Sequence, residues 1–304
     1  MREFCEYCSE EFTHHFYNCM VSKNTNTRTE YIGYINLLCN YLCKDFPDIT
    51  YEDASKYLNH MNSKRADNKL TRRTITVRLA CYNTVALYLE EKDENYKNPF
   101  SKLVRPEVKQ EFDANRIPSM EELDLLFSEA KKDPQDYLIL ALATRVGLSA
   151  ASILRLTTKS IVKDLSNGSI SLHFEPKSGF TKDTYVRLPE DVRDILVSYL
   201  EYKNYGDSDE HPLFVNKWKR PLTIQNVDQL INKLADRCGL KDYTLKDFRN
   251  RAILEMVNAG ASMEDIAEYT GLKRLRLEKF FENKSLVSRA CPAELVNYRL
   301  INAL

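Results

Sequence analysis

The chain has 304 residues, of which 43% are hydrophobic and 29% are charged, and its 44 basic side chains balance 44 acidic ones. This size and composition predict a soluble protein of about two domains, and the zero net charge excludes a polyanion-binding surface spread over the whole chain. No run of eighteen apolar residues occurs and the N-terminus is acidic, so we expect no membrane span, no signal peptide and a cytoplasmic location.

The first hundred residues predict a helical domain. Apolar residues recur at three- and four-residue steps from Phe4 to Cys19. Similar periodicity, in part behind threonine caps, predicts further helices within residues 23–46, 50–61 and 70–91. The proline-bearing, charged residues 106–117 are weakly periodic and predict a linker. The expected division is therefore residues 1–105, a linker at 106–117, and residues 118–304.

The eight cysteines allow two interpretations. Five residues near the N-terminus could ligate zinc: Cys5, Cys8, His14, His15 and Cys19. However, Cys5 and Cys8 are also helix-spaced, as are His15 and Cys19, and most of the cysteines fall inside apolar helical patterns. We therefore predict free thiols in a reducing compartment and no metal site.

The second domain is predicted to be mixed but mostly helical. Ser119 and Glu122 form a capping-box pattern at its first helix. Helical patterns follow at residues 135–148 and 149–161, and period-two alternation at 169–176 and 184–191 predicts a β-hairpin around a glycine-containing turn. Residues 213–240 predict a short strand and a helix ended by Gly239, and further helices are predicted within 245–281 and at 291–304. The predicted fold class is mostly α with a small β-hairpin or sheet.

Basic charge collects in two places. Residues 63–78 carry one acidic residue and six basic ones, which are Lys64, Arg65, Lys69, Arg72, Arg73 and Arg78. Residues 271–279 carry one acidic residue and four basic ones, which are Lys273, Arg274, Arg276 and Lys279. Either cluster alone is typical of a solvated helix face, but one cluster in each domain favours a surface that binds the phosphates of DNA.

Several motifs follow one another at characteristic spacings in the second domain. They are VGLSAASILRL at residues 146–156, KSG at 177–179, YTLKDFRNRAI at 243–253, and Gly260, Ile266 and TGL leading to a Phe-Phe pair at 280–281. Their order and spacing resemble those of the tyrosine recombinase, or phage integrase, family over nearly the whole chain. A helix-turn-helix repressor would account for residues 245–281 alone, but not for the preceding motifs.

The resemblance implies an N-terminal helical, SAM-like core-binding domain and a C-terminal recombinase catalytic domain that together clamp double-stranded DNA. Members of that family break and rejoin DNA strands through a 3′-phosphotyrosyl intermediate, without a metal or other cofactor. Arginine forks match phosphate oxygens, and preorganised positive charge stabilises the transition state. The resemblance also implies assembly on DNA, with copies of the same chain or with an active recombinase.

The catalytic positions of that family fall on residues of mixed chemistry here. Lys177 in the hairpin and Arg249 match the family, Lys246 replaces a histidine, and Ser149, Leu272 and Phe281 replace the first arginine, the second histidine and the tyrosine nucleophile. Lys182 is the second choice for the hairpin lysine. Phe281 has no oxygen with which to attack phosphorus.

Substitutes for the missing groups are conceivable. Arg145 lies one helical turn before Ser149 and could bind phosphate, or it could be an ordinary charge at a helix end. Tyr269 or Tyr298 could attack phosphorus, although packing roles are common for tyrosines. The favoured hypothesis is a DNA-binding pseudoenzyme of mobile-element or phage descent, with weak or no strand cleavage, that serves in recombination or integration. The alternatives are an active recombinase with a displaced tyrosine, a DNA-binding regulator or structural partner of an active recombinase, and a protein–protein adaptor.

Overall fold

The computed structural model describes residues 3–67, 69–106, 114–176, 180, 182–205 and 210–281. The chain divides into two compact units, Met1–Lys109 and Gln110–Leu304. Each unit has its own hydrophobic core.

Four helices form the N-terminal unit: α1 (Glu10–Cys19), α2 (Thr25–Leu42), α3 (Tyr51–Ala66) and α4 (Arg72–Lys92). Each begins at a polar N-cap whose side chain accepts an amide hydrogen bond, and these caps are Ser9, Asn24, Thr50 and Thr71. Their apolar faces meet in a core that includes Phe12, Leu38 and Tyr82. The helical spacing from Phe4 onward was misleading, because α1 begins only at Glu10 and residues before Ser9 form a turn.

The described cysteines are free thiols. The Sγ atoms of Cys5 and Cys8 lie 3.7 Å apart, close to Cys39 in the core of the N-terminal unit. In the part of the chain that the structure describes, no group of three or more His, Cys, Asp or Glu residues is arranged to hold a metal ion.

The C-terminal unit is built around a helix that is buried on all sides. This helix, α6 (Pro134–Thr144), follows α5 (Met120–Ala130), whose start carries the predicted capping box of Ser119 and Glu122. The remaining helices are α7 (Ala150–Ile153), α8 (Glu190–Lys203), α9 (Ile224–Arg237), α10 (Leu245–Asn258), α11 (Met263–Thr270) and α12 (Arg274–Phe281). Helices α8 and α10 pack against α6. The predicted helix over residues 149–161 is reduced to the single turn of α7 and a 3-10 turn at Thr158–Ser160.

A three-stranded antiparallel sheet completes this unit, in the order β1 (Ile161–Lys163), β2 (Ile170–Phe174), β3 (Thr184–Arg187). Strands β2 and β3 are the predicted hairpin, with Leu172 opposite Val186, and both of these side chains are buried. The short strand predicted after residue 213 is instead a turn closed by an isolated bridge between Val215 and Pro221. The mostly helical fold class with a small sheet is confirmed. Among the described helices, none is both long and apolar enough to cross a bilayer.

Candidate functional site

The side chain of Arg249 is fixed by a hydrogen bond to the backbone within the C-terminal unit. It extends from α10, and its Nη2 donates a hydrogen bond of 2.6 Å to the carbonyl oxygen of Thr270, the last residue of α11. Its Nε has no hydrogen-bond partner among the described residues although it is buried. A buried guanidinium donor without an acceptor is costly, and an anion at this position would satisfy it.

The electrostatic surroundings of Arg249 are unfavourable to its own charge. Burial and, to a smaller extent, the positive charge of Arg276 on α12 together lower the pKa of Arg249 to about 10. Two cations held close together, one half-buried and one exposed, create a strong local positive potential. The arrangement is therefore suited to an oxyanion such as a phosphate.

The turn before α7 lies against the same part of α11. Gly147 adopts a left-handed φ of +77°, and a β-carbon there would lie 3.2 Å from Cγ2 of Thr270, so the close approach requires glycine. Two residues later, Ser149 is the N-cap of α7 and its Oγ accepts from the amide of Ser152 at 3.1 Å. Ser149 thus serves as a helix cap where the resemblance places an arginine.

A buried carboxylate fixes the start of α10. Asp247 accepts hydrogen bonds from the amide and hydroxyl of Thr244. It also forms an ion pair with Arg116, whose Nη2 lies 3.0 Å from Oδ2 of Asp247. This capping box and the two-point Arg116 contact orient the first turn of α10. Lys246 lies in that turn with its side chain exposed, so its amine faces solvent.

The hairpin loop is attached to the turn between α11 and α12. Phe180 stacks on Phe174 of β2 with ring centroids 4.7 Å apart. Gly271, at φ +69°, lies so close to the Phe180 ring that an added β-carbon would approach it to 3.0 Å. Lys182, the second choice for the hairpin lysine, pairs with Glu268 of α11 at 2.8 Å on the surface. Lys177, the first choice, lies outside the described residues.

Apolar packing occupies the positions that correspond to the second histidine and the nucleophile. Leu272 is half-buried against the core, and Phe280 and Phe281 are buried at the end of α12. Tyr269 is also buried, and its hydroxyl donates to the carbonyl oxygen of Arg187 at 2.7 Å, which matches a packing role. Tyr298 lies outside the described residues.

The structure separates Arg145 from the surface. Arg145 is the C-cap of α6, and its Nε lies 2.9 Å from Oδ2 of Asp191, with both side chains less than a tenth exposed. Its guanidinium is therefore engaged in a buried ion pair, which favours the structural interpretation of this residue over phosphate binding.

The two basic clusters are mainly exposed, one in each unit. In the N-terminal unit, Lys64, Lys69, Arg72 and Arg73 are exposed at the end of α3 and the start of α4, and Arg65 is half-buried. In the C-terminal unit, Lys273, Arg274 and Arg276 are exposed at the start of α12, where Arg274 pairs with Glu264 at 3.2 Å. Arg72 and Arg73 lie at the positive end of the α4 dipole, where basic side chains are unfavourable without an anion nearby.

Arg116 is the residue of this site that the sequence did not reveal. It lies 131 residues from Asp247, in a segment without periodicity, so no local pattern connects the two. The acidic residue inside KDFR was the available signal, because a buried carboxylate requires a partner.

Residues 118–279 match the profile of the phage integrase family. The chain is 26% identical over 236 residues to a protein named tyrosine recombinase XerC from Staphylococcus haemolyticus, a match that covers 73% of this chain and 72% of that protein. It is 25% identical over 234 residues to a protein of the same name from Leptospira interrogans, covering 75% of this chain and 72% of that one.

Solved structures share the fold at lower sequence identity. The Tn1549 transposon integrase in complex with transposon right end DNA has a TM-score of 0.68 at 15% identity, covering 90% of this chain and 95% of that one. The XerH site-specific recombinase bound to palindromic difH substrate has a TM-score of 0.63 at 14% identity, covering 91% of this chain and 87% of that one.

Proposed function

Because this chain belongs to the phage integrase family, we propose that it binds double-stranded DNA in site-specific recombination or integration and holds a backbone phosphate without cutting the strand itself. The N-terminal helical unit serves as the core-binding domain and the C-terminal unit as the catalytic-type domain, with residues 106–117 linking them.

The observation that carries the proposal is the state of Arg249. Its guanidinium is anchored to Thr270 on one side, carries a buried Nε without a partner among the described residues, and lies near the exposed charge of Arg276. A phosphate oxygen at Nε would satisfy the unpaired donor and offset the repulsion between the two guanidinium groups. Lys246 and Lys177 are proposed as further phosphate contacts.

The proposed absence of cleavage rests on chemistry at three positions. Phe281 supplies no nucleophile, the Leu272 side chain donates no hydrogen bond, and Ser149 is committed to capping α7. Binding a phosphate needs only positive charge and donors, whereas cleaving it also needs an attacking oxygen and a proton donor for the leaving group. The site is therefore proposed to bind a phosphate but not to cleave the strand.

Affinity is proposed to come mainly from the two exposed basic clusters. Contacts from Lys64, Arg65, Lys69, Arg72 and Arg73 in one unit, and from Lys273, Arg274 and Arg276 in the other, would displace counterions from DNA. Binding should therefore weaken steeply as salt is raised. Arg145 is not included, since its ion pair with Asp191 is buried.

The biological role proposed is that of a DNA-bound partner or regulator of an active recombinase, encoded by a mobile element. Support comes from the names of the relatives, which are recombinases, and from a transposon integrase of the same fold that was determined bound to DNA. Self-association on DNA belongs to the same proposal.

An active enzyme with a displaced tyrosine is the competing function. Tyr269 is a poor candidate because its hydroxyl is buried and donates to the backbone of β3. Tyr298 is the remaining candidate. Incubating the protein with duplex DNA and comparing native and denaturing gels separates the two functions: bound DNA that is released by denaturation supports the proposal, and DNA that stays attached to protein supports an enzyme.

A further inference from the structure

The only tryptophan of the chain lies at the tip of a tight turn in the C-terminal unit. Trp218 is 69% exposed, and its neighbours Lys217, Lys219 and Arg220 are exposed as well. Residues 211–223 contain three Lys or Arg residues and no acidic residue. We name residues 216–220 the tryptophan turn.

The tryptophan turn is rigidly built. The Oδ1 of Asn216 accepts from the amides of Trp218 at 3.0 Å and Arg220 at 3.1 Å, and the Asn216 amide donates to the Arg220 carbonyl oxygen at 2.8 Å. Lys219 adopts a left-handed φ of 59°, a conformation that non-glycine residues rarely occupy unless their surroundings impose it. The side chain of Trp218 is therefore presented to solvent by a fixed backbone.

The base of this turn is anchored in the core. Leu213 and Phe214 are buried, and the Leu213 carbonyl oxygen accepts from the hydroxyl of Tyr199 at 2.6 Å. The Val215 amide donates to Oε1 of Gln135 at 3.1 Å. These contacts join the base of the turn to α6 and α8, so the position of the turn is fixed relative to the core of the unit.

We propose that the tryptophan turn is a separate DNA-contacting element, in which the Trp218 indole inserts partly at a base step of the duplex and stacks on the opened base face, while Lys217, Lys219 and Arg220 hold the flanking phosphates. An exposed indole surrounded by cations fits a nucleic acid, whose bases offer apolar faces and whose backbone offers negative charge. The Nζ of Lys217 lies 4.4 Å from the Trp218 ring centroid, so this charge sits beside the surface on which a base would stack.

The inference rests on the proposed DNA binding and extends it to a surface outside the Arg249 site. The chain has one tryptophan and 18 tyrosines. Excitation at the red edge of the indole absorption band does not excite the tyrosines, so the fluorescence reports on Trp218 alone. Titration with a labelled duplex allows DNA anisotropy and indole fluorescence to be read in the same sample. We expect saturable indole quenching that follows the anisotropy curve.

Substitutions at Trp218 distinguish the loss of a DNA contact from a disturbance of the fold. Trp218→Ala should weaken binding about tenfold, and Trp218→Phe should keep affinity within about threefold because the ring still stacks. Leu165→Ala is the matched control, since Leu165 is 98% exposed and lies outside the tryptophan turn, and it should bind as the wild type does. Far-UV circular dichroism should be the same for all four proteins.

The possible failures are distinguishable. No anisotropy change at low salt would overturn the proposed function together with this extension of it. Normal anisotropy with unchanged indole fluorescence, or full affinity in Trp218→Ala, would overturn the tryptophan turn alone. A response of the indole to vesicles with anionic lipid headgroups, but not to duplex DNA, would assign this turn to a membrane surface and overturn the proposal.

Discussion

The guanidinium of Arg249 donates a hydrogen bond of 2.6 Å to the carbonyl oxygen of Thr270, joining the N-terminal half of α10 to the end of α11. The same Thr270 touches the turn at Gly147, and the next residue, Gly271, touches Phe180. Three segments that are distant in sequence therefore converge around one arginine.

Replacing Arg249 should weaken DNA binding without unfolding the protein. Arg249→Ala removes the unpaired Nε and one phosphate contact, so we expect about tenfold weaker binding and a salt slope shallower by about one. Anisotropy of a labelled duplex over a salt series measures both quantities. Arg251→Ala is the matched control on the same helix. The Nε of Arg251 is also buried without a partner among the described residues, but its charge is paired with Glu255 at 2.6 Å, so this variant should bind nearly as the wild type does. Equal losses in the two variants would contradict a specific role for Arg249.

Reversing charge at the start of α4 should weaken binding to every DNA sequence alike. Arg72→Glu with Arg73→Glu places repulsive charge opposite phosphates, and we expect affinity to fall at least about tenfold at low salt. Lys56→Glu offers a comparison on α3 outside the basic cluster, since Lys56 is also exposed. Unchanged affinity in the double variant would support the protein–protein adaptor instead.

Ser149 should behave as a structural cap. Ser149→Ala removes the acceptor for the Ser152 amide and should lower the free energy of unfolding by about 1 kcal/mol, whereas Ser149→Asn should retain most of it. Urea denaturation followed by circular dichroism measures the difference. If Ser149→Ala were as stable as the wild type and Ser149→Asn no better, the capping role would be excluded.

Asp136 should make the stability of the C-terminal unit depend on pH. Burial, assisted by the charge of Asp133, raises the pKa of Asp136 to about 6 from an ordinary value of 3.8. A carboxyl whose folded pKa is raised stabilises the fold while it is protonated, so its contribution is fully present below pH of about 4 and is lost as pH rises through about 6.

Asp136→Asn removes this titration. We expect the variant to be more stable than the wild type at pH 7 by about 1 kcal/mol, with the gap closing as pH falls towards 4. Urea midpoints measured from pH 4 to pH 8 test this expectation. A constant gap across that range would show that Asp136 does not titrate there.

Local signals explain what the sequence predicted well. The capping box of Ser119 and Glu122 and the alternation in β2 and β3 depend on residues a few positions apart, and both structures formed as expected. The helix predicted over residues 149–161 does not form, because contacts with a distant segment replace its helical hydrogen bonds. The Leu156 carbonyl oxygen accepts from the Leu213 amide at 2.8 Å, and the Thr158 amide donates to the His211 carbonyl oxygen.

In the candidate site, too, features set by local sequence were predicted and features set by tertiary packing were not. Arg249 and Phe281 were identified from their spacing in the family motifs, since the resemblance fixes positions along the chain. The partner of Asp247, the ion pair of Arg145 and the exposure of Trp218 depend on tertiary packing that no short segment encodes. The roles of Lys177 and Tyr298 remain predictions, as both lie outside the described residues.

The most direct test of the central claim is a suicide-substrate experiment. A pool of nicked duplexes made from DNA flanking the gene would be incubated with the wild-type protein and resolved on a denaturing gel, with a native gel run in parallel. We predict retarded DNA on the native gel and no covalent adduct on the denaturing gel. A covalent adduct, mapped by mass spectrometry to Tyr298 or Tyr269, would show that a nucleophile exists and would contradict the account.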